Sequence, residues 1–431
     1  MKVAALGIVC SLCVGLAVTV STHVALGAGA DSSLVIAALR VLEQNYFKPV
    51  DPVALINSAI AGLRKATSLG SDALPDIPAG SHEPQVISTF QERFAQAART
   101  GKTPEADLAY QATREMLASL QEGDTHYMDP AEFAEQKKKD AGATVWAGIG
   151  VNMRSEKDGA DVGWIFIDDV YPESPAQAAG LRRFDRILEV EGRPLRNMTA
   201  PDASQLLRGQ PGSTVSLVLQ RGSRRLTASI VRAPIRLVPR AEMVRPGVAY
   251  LKVYYFAGGT GEQVRLALRA LAAKGTIRAV VLDLRGNGGG YLSEIQSVAG
   301  VFLPSQTVIG QVIRHAGTLP MVATGETLFP SGPMAVLSAK STVPGELMLG
   351  LRAAHRATII GEQSAGIGGS GADFPLPAGG MHTTVEMVVG PHSEPIQGVG
   401  VIPDTEVALT EADMERGVDT QFDAAVKAMG G

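Results

Sequence analysis

The hydrophobic pattern changes rhythm twice along the chain. From Ser32 to Arg64, and again from Ile87 to Gln121, apolar residues recur at helical spacing, as at Leu34, Ala38, Val41 and Leu42. Between them Ser68 to Val86, rich in Pro, Gly, Ser and Asp, predicts an exposed loop. From Thr144 to Arg236 the runs shorten into GIGVNM, VGWIFIDDV, RILEVEG, VSLVLQRG and LTASIVRAP, which predict strands between turns. SPAQAAG and Ala200 to Arg208 predict short helices there. After Val248 strands and helices alternate: a strand from Val248 to Phe256, a helix from Gly261 to Lys274, a buried strand from Arg278 to Leu284 and a helix from Ser293 to Phe302. The fold class is therefore α/β and multidomain, behind a helical N-terminal region.

Pro333 to Phe374 holds the densest signal. Met334 to Leu337 predicts a buried strand, Glu346 to Arg356 a helix with Pro344 suited to its first turn, and Ala357 to Ile360 a second strand. A side chain at a strand-to-helix turn stands beside a helix N-terminus, where free N–H groups stabilise an oxyanion. The glycines of AVVLDLRGNGGG follow another buried strand and bring further N–H groups near a ligand. A phosphate loop is excluded there, since the Lys-Ser/Thr ending is missing.

Composition adds compartment rather than chemistry. The chain has 431 residues, 45% hydrophobic and 19% charged, with a net charge of -4. That balance gives no general pull toward nucleic acid. Lys2, the apolar run Val3 to Val20 and Ala28-Gly29-Ala30 read as a signal peptide or uncleaved anchor over 1–30, so export to a periplasm or cell envelope is expected. The anchor would be the only membrane contact. The two cysteines, Cys10 and Cys13, lie inside this run as small apolar residues. The N-terminal region over 31–140 reads as packing without chemistry, and Asp124-Thr125-His126 as a local hydrogen-bonding turn.

The ordered set GIG, SPAQAAGLRRFDRILEVEGRPL, a helix, and RGQPGSTVSLVLQRG resembles a PDZ domain over 141–240. The resemblance implies that Gly148, Ile149, Gly150 and Val151 bind a peptide's C-terminal carboxylate. The peptide would add as a strand in a groove lined by Ala203, Leu206 and Leu207. Arg183-Phe184-Asp185 replaces the family's usual Pro-Gly-Asp turn. Arg182, Arg183, Arg186, Arg193, Arg196 and Arg208 make the domain locally basic, suited either to a solvated face or to acidic tails.

With the PDZ domain, NYFKPVDPVALINSAIAGL, THYMDPAEF, LDLRGNGGG and GGMHTTVEMVVGPHSEPIQGVGVIPDTEV, the chain resembles the C-terminal processing (tail-specific) serine peptidases. The resemblance implies a crotonase-like α/β core over 241–431 and a Ser-Lys dyad, with no metal or cofactor. The nucleophile lies three residues before a Glu, which places it at Val343. The lysine of the family's Phe-Gly-Lys-Gly loop falls at Ile367, and the Gln that orients it at Gly371. The oxyanion glycines map to Gly289 and Gly290. All three reacting positions lack a side chain able to exchange a proton. A Ser at 343 would also have served as an N-cap with Glu346 as its box partner.

Three functions stay open at this point. The first is a pseudoprotease that captures protein C-terminal tails. The second is an active peptidase with relocated groups, Ser341 being the fallback nucleophile, with Ser338 and Thr342 close by and Lys340 adjacent. The third is an envelope scaffold subunit. Ser364 and Ser370 read as turn residues, and nothing in the spacing of His315, His355 and His382 selects a base.

Overall fold

A computed structural model describes residues 31–430, apart from 101, 123, 143–146 and 157–160. The expected signal peptide or anchor over 1–30 lies outside the described residues. No helix among those described is long and apolar enough to cross a membrane.

The helical region starts where local sequence dictates. Asp31 caps the helix Ser32–Asn45, and Asp51, followed by Pro52, caps Pro52–Thr67. Glu83–Thr100 and Glu105–Ala118 complete a bundle packed through Leu39, Ile56, Ile60, Phe90 and Leu108. The segment expected to be an exposed loop is pinned to it instead. Leu74 and Ile77 are buried, Asn57 exchanges two hydrogen bonds with the Ile77 backbone, and Arg64 donates to the Leu74 carbonyl. Apolar residues two or three apart in a Pro-rich stretch match no helical or strand period, so their burial was invisible to periodicity.

The PDZ domain is a sheet in the order Val151–Ser155, Ile165–Val170, Arg186–Val190, Thr214–Arg221, Arg224–Val231. Val151–Ser155 is thus an edge strand, and the helix Ala200–Leu207 lies beside it. Ser174 and Thr199 cap the two short helices. In the altered turn Phe184 takes the left-handed backbone at φ 70° that a glycine would normally supply. The guanidinium groups of Arg183 and Arg154 lie 5.3 Å and 5.9 Å from its ring centre.

The core sheet runs Arg240–Arg245, Val248–Lys252, Ala279–Asp283, Met334–Ser338, Thr358–Gly361, Thr405–Glu406. All neighbours are parallel except the first pair. Its central strands are buried on both faces, which explains their unbroken apolar runs. Val280, Leu282, Val336 and Ile359 pack toward the helices Thr260–Ala272, Leu292–Phe302 and Gly345–Ala353. Val281, Ala335, Leu337 and Ile360 face Ala425 and Phe422 of the helix Thr420–Ala428. A second sheet places Gly380–Val389 between His126–Met128 and Val308–Arg314, with Gly369–Pro375 also paired to it. Its residues Met381 and Met387 join the N-terminal bundle, so this sheet links the bundle to the core.

Candidate functional site

The loops after Ala279–Asp283 and Met334–Ser338 meet at the carboxyl ends of adjacent parallel strands, where α/β sheets place ligands. Asn287 organises the meeting point. Its side chain donates to the Val253 carbonyl (2.8 Å) and accepts from Gly289 N–H (2.8 Å), and its own carbonyl accepts from Val343 N–H (2.9 Å). Below it Arg285 binds Asp283, Asp419 and Gln421, which ties the loop to the C-terminal helix. Burial opposes charge on Asp283, but Arg285 and Lys252 hold its carboxyl well below the usual range. LDLR is therefore a structural anchor, and neither its role nor that of Asn287 is marked by spacing alone.

Val343 stands at the glycine loop: a methyl group built on Gly289 would meet its Cγ1 at 3.1 Å. Gly289 has φ 89° and Gly290 φ 139°, conformations natural only to glycine. The two differ in what their amides do. Gly289 is buried and its N–H is spent on Asn287. Gly290 is exposed and forms a parallel bridge with Phe256 through Phe256 N–H to Gly289 and Tyr291 N–H to Phe256. That pattern turns the N–H of Gly290 itself away from Phe256. Among the described residues it has no acceptor.

The helix Gly345–Ala353 starts one residue later than a cap at 343 requires. Pro344 occupies the cap position and no side chain caps the turn. Glu346 is not a box partner but a buried carboxyl, pushed up to about 7 by desolvation. The absence of a side-chain cap follows from residue type, since valine and proline both lack an acceptor there.

Ile367 lies in a loop that Ala365 N–H ties to the Thr342 carbonyl (2.9 Å). Gln397 grips the same loop through the amides of Gly368 (2.9 Å) and Gly369 (3.1 Å). The Ile367 side chain is 46% exposed. Gly371 has no room for a glutamine: a Cβ there would fall 2.0 Å from His382 Nε2. His382 binds Asp373 through Nδ1 (2.5 Å), lies 3.6 Å from Asp124, and stacks on His126. Asp124, against desolvation and together with Asp373, pushes the His382 imidazole up to about 9. His126 itself bonds the Asp124 backbone carbonyl, as the local-turn reading expects.

Ser341, the fallback nucleophile, is buried and donates to Asp168 of the PDZ domain. Burial alone would raise the Asp168 carboxyl, but Arg183, the Ser341 hydroxyl and Arg154 hold it below the usual value, so it is a weak base. Lys340 reaches Glu156 of the PDZ domain (2.9 Å). Thr342 Oγ1 bonds the Leu284 carbonyl, Ser364 Oγ accepts from Val401 N–H, and Ser338 Oγ is buried with no partner among the described residues. His315 bonds the Tyr46 carbonyl, and His355 follows the helix in a left-handed turn. Among the described residues no group of His, Cys, Asp or Glu is arranged to hold a metal ion.

In the PDZ domain Gly148 pairs with Ala233, and Gly150 at φ 83° packs against Ser174, where a Cβ would meet Ser174 Cβ at 2.3 Å. Val151 begins the edge strand. Neither Ile149 N–H nor Gly150 N–H has an acceptor among the described residues. Ala203 and Leu207 are buried in the domain's own core, so of the three helix residues only Leu206 is partly exposed. Arg232 holds the helix end through the Leu206 and Leu207 carbonyls.

The model of peptidase family S41 matches residues 247–407, and that of a PDZ domain matches 166–221. The chain is 31% identical to a carboxyl-terminal-processing protease of a Picosynechococcus strain, over 74% of this chain and 78% of that one. It is 29% identical to the protein of the same name from a Synechocystis strain, over 75% and 77%. Among solved structures it resembles a photosystem II D1 C-terminal processing protease, with a TM-score of 0.61 at 22% identity, covering 94% of this chain and 98% of that one. The structural likeness supports the fold, and the sequence likeness over three quarters of the chain supports descent. The chain belongs to the carboxyl-terminal-processing proteases of peptidase family S41.

Proposed function

We propose that this chain is an exported, non-hydrolytic member of its family that captures protein C-terminal tails through its PDZ domain. The observation that carries the reading is Val343 at the glycine loop, with its N–H and that of Gly289 both bonded to Asn287. A peptide carbonyl placed there meets no nucleophile, and of the two candidate oxyanion glycines the N–H of Gly289 is already engaged by Asn287. Ile367 cannot accept a proton, and Ser341 is committed to Asp168. Tail capture is supported by the edge strand Val151–Ser155 and the unengaged amides of Ile149 and Gly150. Export is supported by the apolar run after Lys2.

The test uses the full chain with unstructured protein substrates, read by mass spectrometry beside a fluorophosphonate probe. No cleavage and no labelling are expected. Peptides with a free carboxylate should bind with micromolar affinity, and amidation should weaken them sharply. Cleavage that vanishes in Ser341→Ala would overturn the non-hydrolytic reading, and equal binding of free and amidated peptides would overturn tail capture.

A further inference from the structure

We propose that the strand Arg240–Arg245 pairs with its counterpart in a second copy of this chain, joining two core sheets edge to edge. The inference stands apart from the tail-capture reading and holds whether or not the chain cleaves peptides.

Arg240–Arg245 ends the core sheet, with Val248–Lys252 on one side and no strand on the other among the described residues. The opposite end of the sheet is blunted by length, since Thr405–Glu406 has two residues. Which groups the open edge offers follows from its neighbours. Val253 N–H donates to the Asp283 carbonyl, and the Gly247 carbonyl accepts from Ala279 N–H, so odd-numbered residues there turn toward Ala279–Asp283. Tyr250 and Lys252 turn the other way and bond Glu242 and Arg240, the residues opposite them. That leaves the N–H and C=O of Ala241 and Met243 facing outward. Pro239 falls on the same outward side, where a missing N–H costs the sheet nothing.

The charges select a second copy as the occupant. Charged side chains on an edge normally repel an added strand. Here Arg240 and Glu242 flank Ala241 and bond each other (3.0 Å). An antiparallel copy centred on Ala241 sets Arg240 opposite Glu242 of the second copy, and Glu242 opposite its Arg240, as a ring of alternating charge. Centring the pairing on Arg240 or on Glu242 would instead set that residue against itself. In the Ala241 register Ala241 exchanges both main-chain bonds with its counterpart, and Met243 N–H reaches the Pro239 carbonyl of the second copy. The ladder continues to Val238, 58% exposed, opposite Val244. Beside the edge an open groove of about 590 Å³, lined by Ala241, Met243, Leu271 and Lys274, gives the added strand apolar surface to cover.

Sedimentation velocity of the full chain over a range of micromolar concentrations should show a monomer–dimer equilibrium. Glu242→Arg sets arginines against each other across the edge and should weaken the dimer at least about tenfold. Combining Arg240→Glu with Glu242→Arg exchanges the two charges, keeps opposite signs facing and should restore the dimer. Ala241→Cys, with Cys10→Ser and Cys13→Ser, should give a disulfide-linked dimer on mild oxidation, because paired strands hold the two Cα atoms about 5.5 Å apart. Thermal melting verifies that the variants fold, and Arg240→Glu replaces Glu242→Arg if the latter does not. A chain that stays monomeric at every concentration overturns the proposal and leaves the charges as a guard on the edge. A dimer that survives the charge reversal, or that the exchanged pair does not restore, overturns it as well. So does a dimer that Ala241→Cys fails to link, which assigns association to another surface.

Discussion

The Ser341 hydroxyl donates to the Asp168 carboxylate across the junction between the peptidase core and the PDZ domain. Asp168 is 1% exposed and also binds Arg183 (3.0 Å) and Arg154 (3.5 Å), while Asp169 beside it binds buried Lys252 (3.0 Å). The one serine near the glycine loop that sequence alone nominated is thus part of a domain junction.

Ser341→Ala should therefore lower stability and leave peptide chemistry untouched. Loss of one hydrogen bond to a charged acceptor is expected to cost roughly 1.5–3 kcal/mol, read in denaturant unfolding. Asp168→Ala should cost more, about 3–5 kcal/mol, because Arg183 and Arg154 lose their buried partner. Asp168 has a lowered folded pKa, so its contribution is fully present above the unfolded carboxylate value and fades as pH falls toward the folded one. The Ser341→Ala penalty should shrink in the same acid window.

Rebuilding the dyad should be hard. Val343→Ser alone should give no fluorophosphonate labelling, since its hydroxyl meets no base. Val343→Ser with Ile367→Lys should give at most trace cleavage, because the introduced lysine sits at a loop position 46% exposed and keeps its proton near neutral pH. Robust turnover by the double variant would show that the loop closes over the site and desolvates the lysine.

Glu346 should make the fold less stable as pH rises. Its folded pKa of about 7 lies above the ordinary glutamate value of 4.5, so between them the native state holds a proton the unfolded state has lost. Stability is greatest below the unfolded value and declines until pH passes the folded one. Glu346→Gln should remove this decline and stabilise the protein at pH 8 by on the order of 2–4 kcal/mol, with little effect at pH 4. Urea unfolding at both pH values measures it.

His382 titrates with the same slope in a higher window. Its folded pKa of about 9 exceeds the ordinary imidazole value of 6.5, so the ion pairs with Asp124 and Asp373 stabilise the fold fully below the lower value and fade as pH rises through the upper one. His382→Ala should cost roughly 1–2 kcal/mol at pH 6, discounted for partial exposure, and little at pH 10. Amide exchange should show the loss concentrated around His126–Met128, the strand paired to it.

Much of the fold was legible because it obeys local rules. The unbroken run AVVLDL announces a strand buried on both faces, and Asp51-Pro52 announces a helix start. The PDZ order was readable because several of its turns carry a positive-φ glycine, such as Gly180, Gly192 and Gly222. A motif placed Val343 and Gly289 in separate loops, and the fold brings the two together. What escaped were pairings between distant segments. Asp168 and Ser341 are separated by 173 residues, and Asp124 and His382 by more. No periodicity relates such residues, because tertiary closure alone brings them together. The occupancy of the Gly289 amide escaped for another reason: it depends on the rotamer of Asn287, and sequence names the side chain without aiming it.

The contact between Gly371 and His382 couples two positions that cannot change independently. A side chain at 371 cannot be restored while the imidazole fills its space at 2.0 Å. Moving the imidazole first removes the ion pairs that join Asp124, at the end of the helical bundle, to Asp373 in the core's second sheet. At position 371 alone, a step back toward the family's arrangement meets either the imidazole or the loss of its ion pairs, and paired changes at 371 and 382 avoid both.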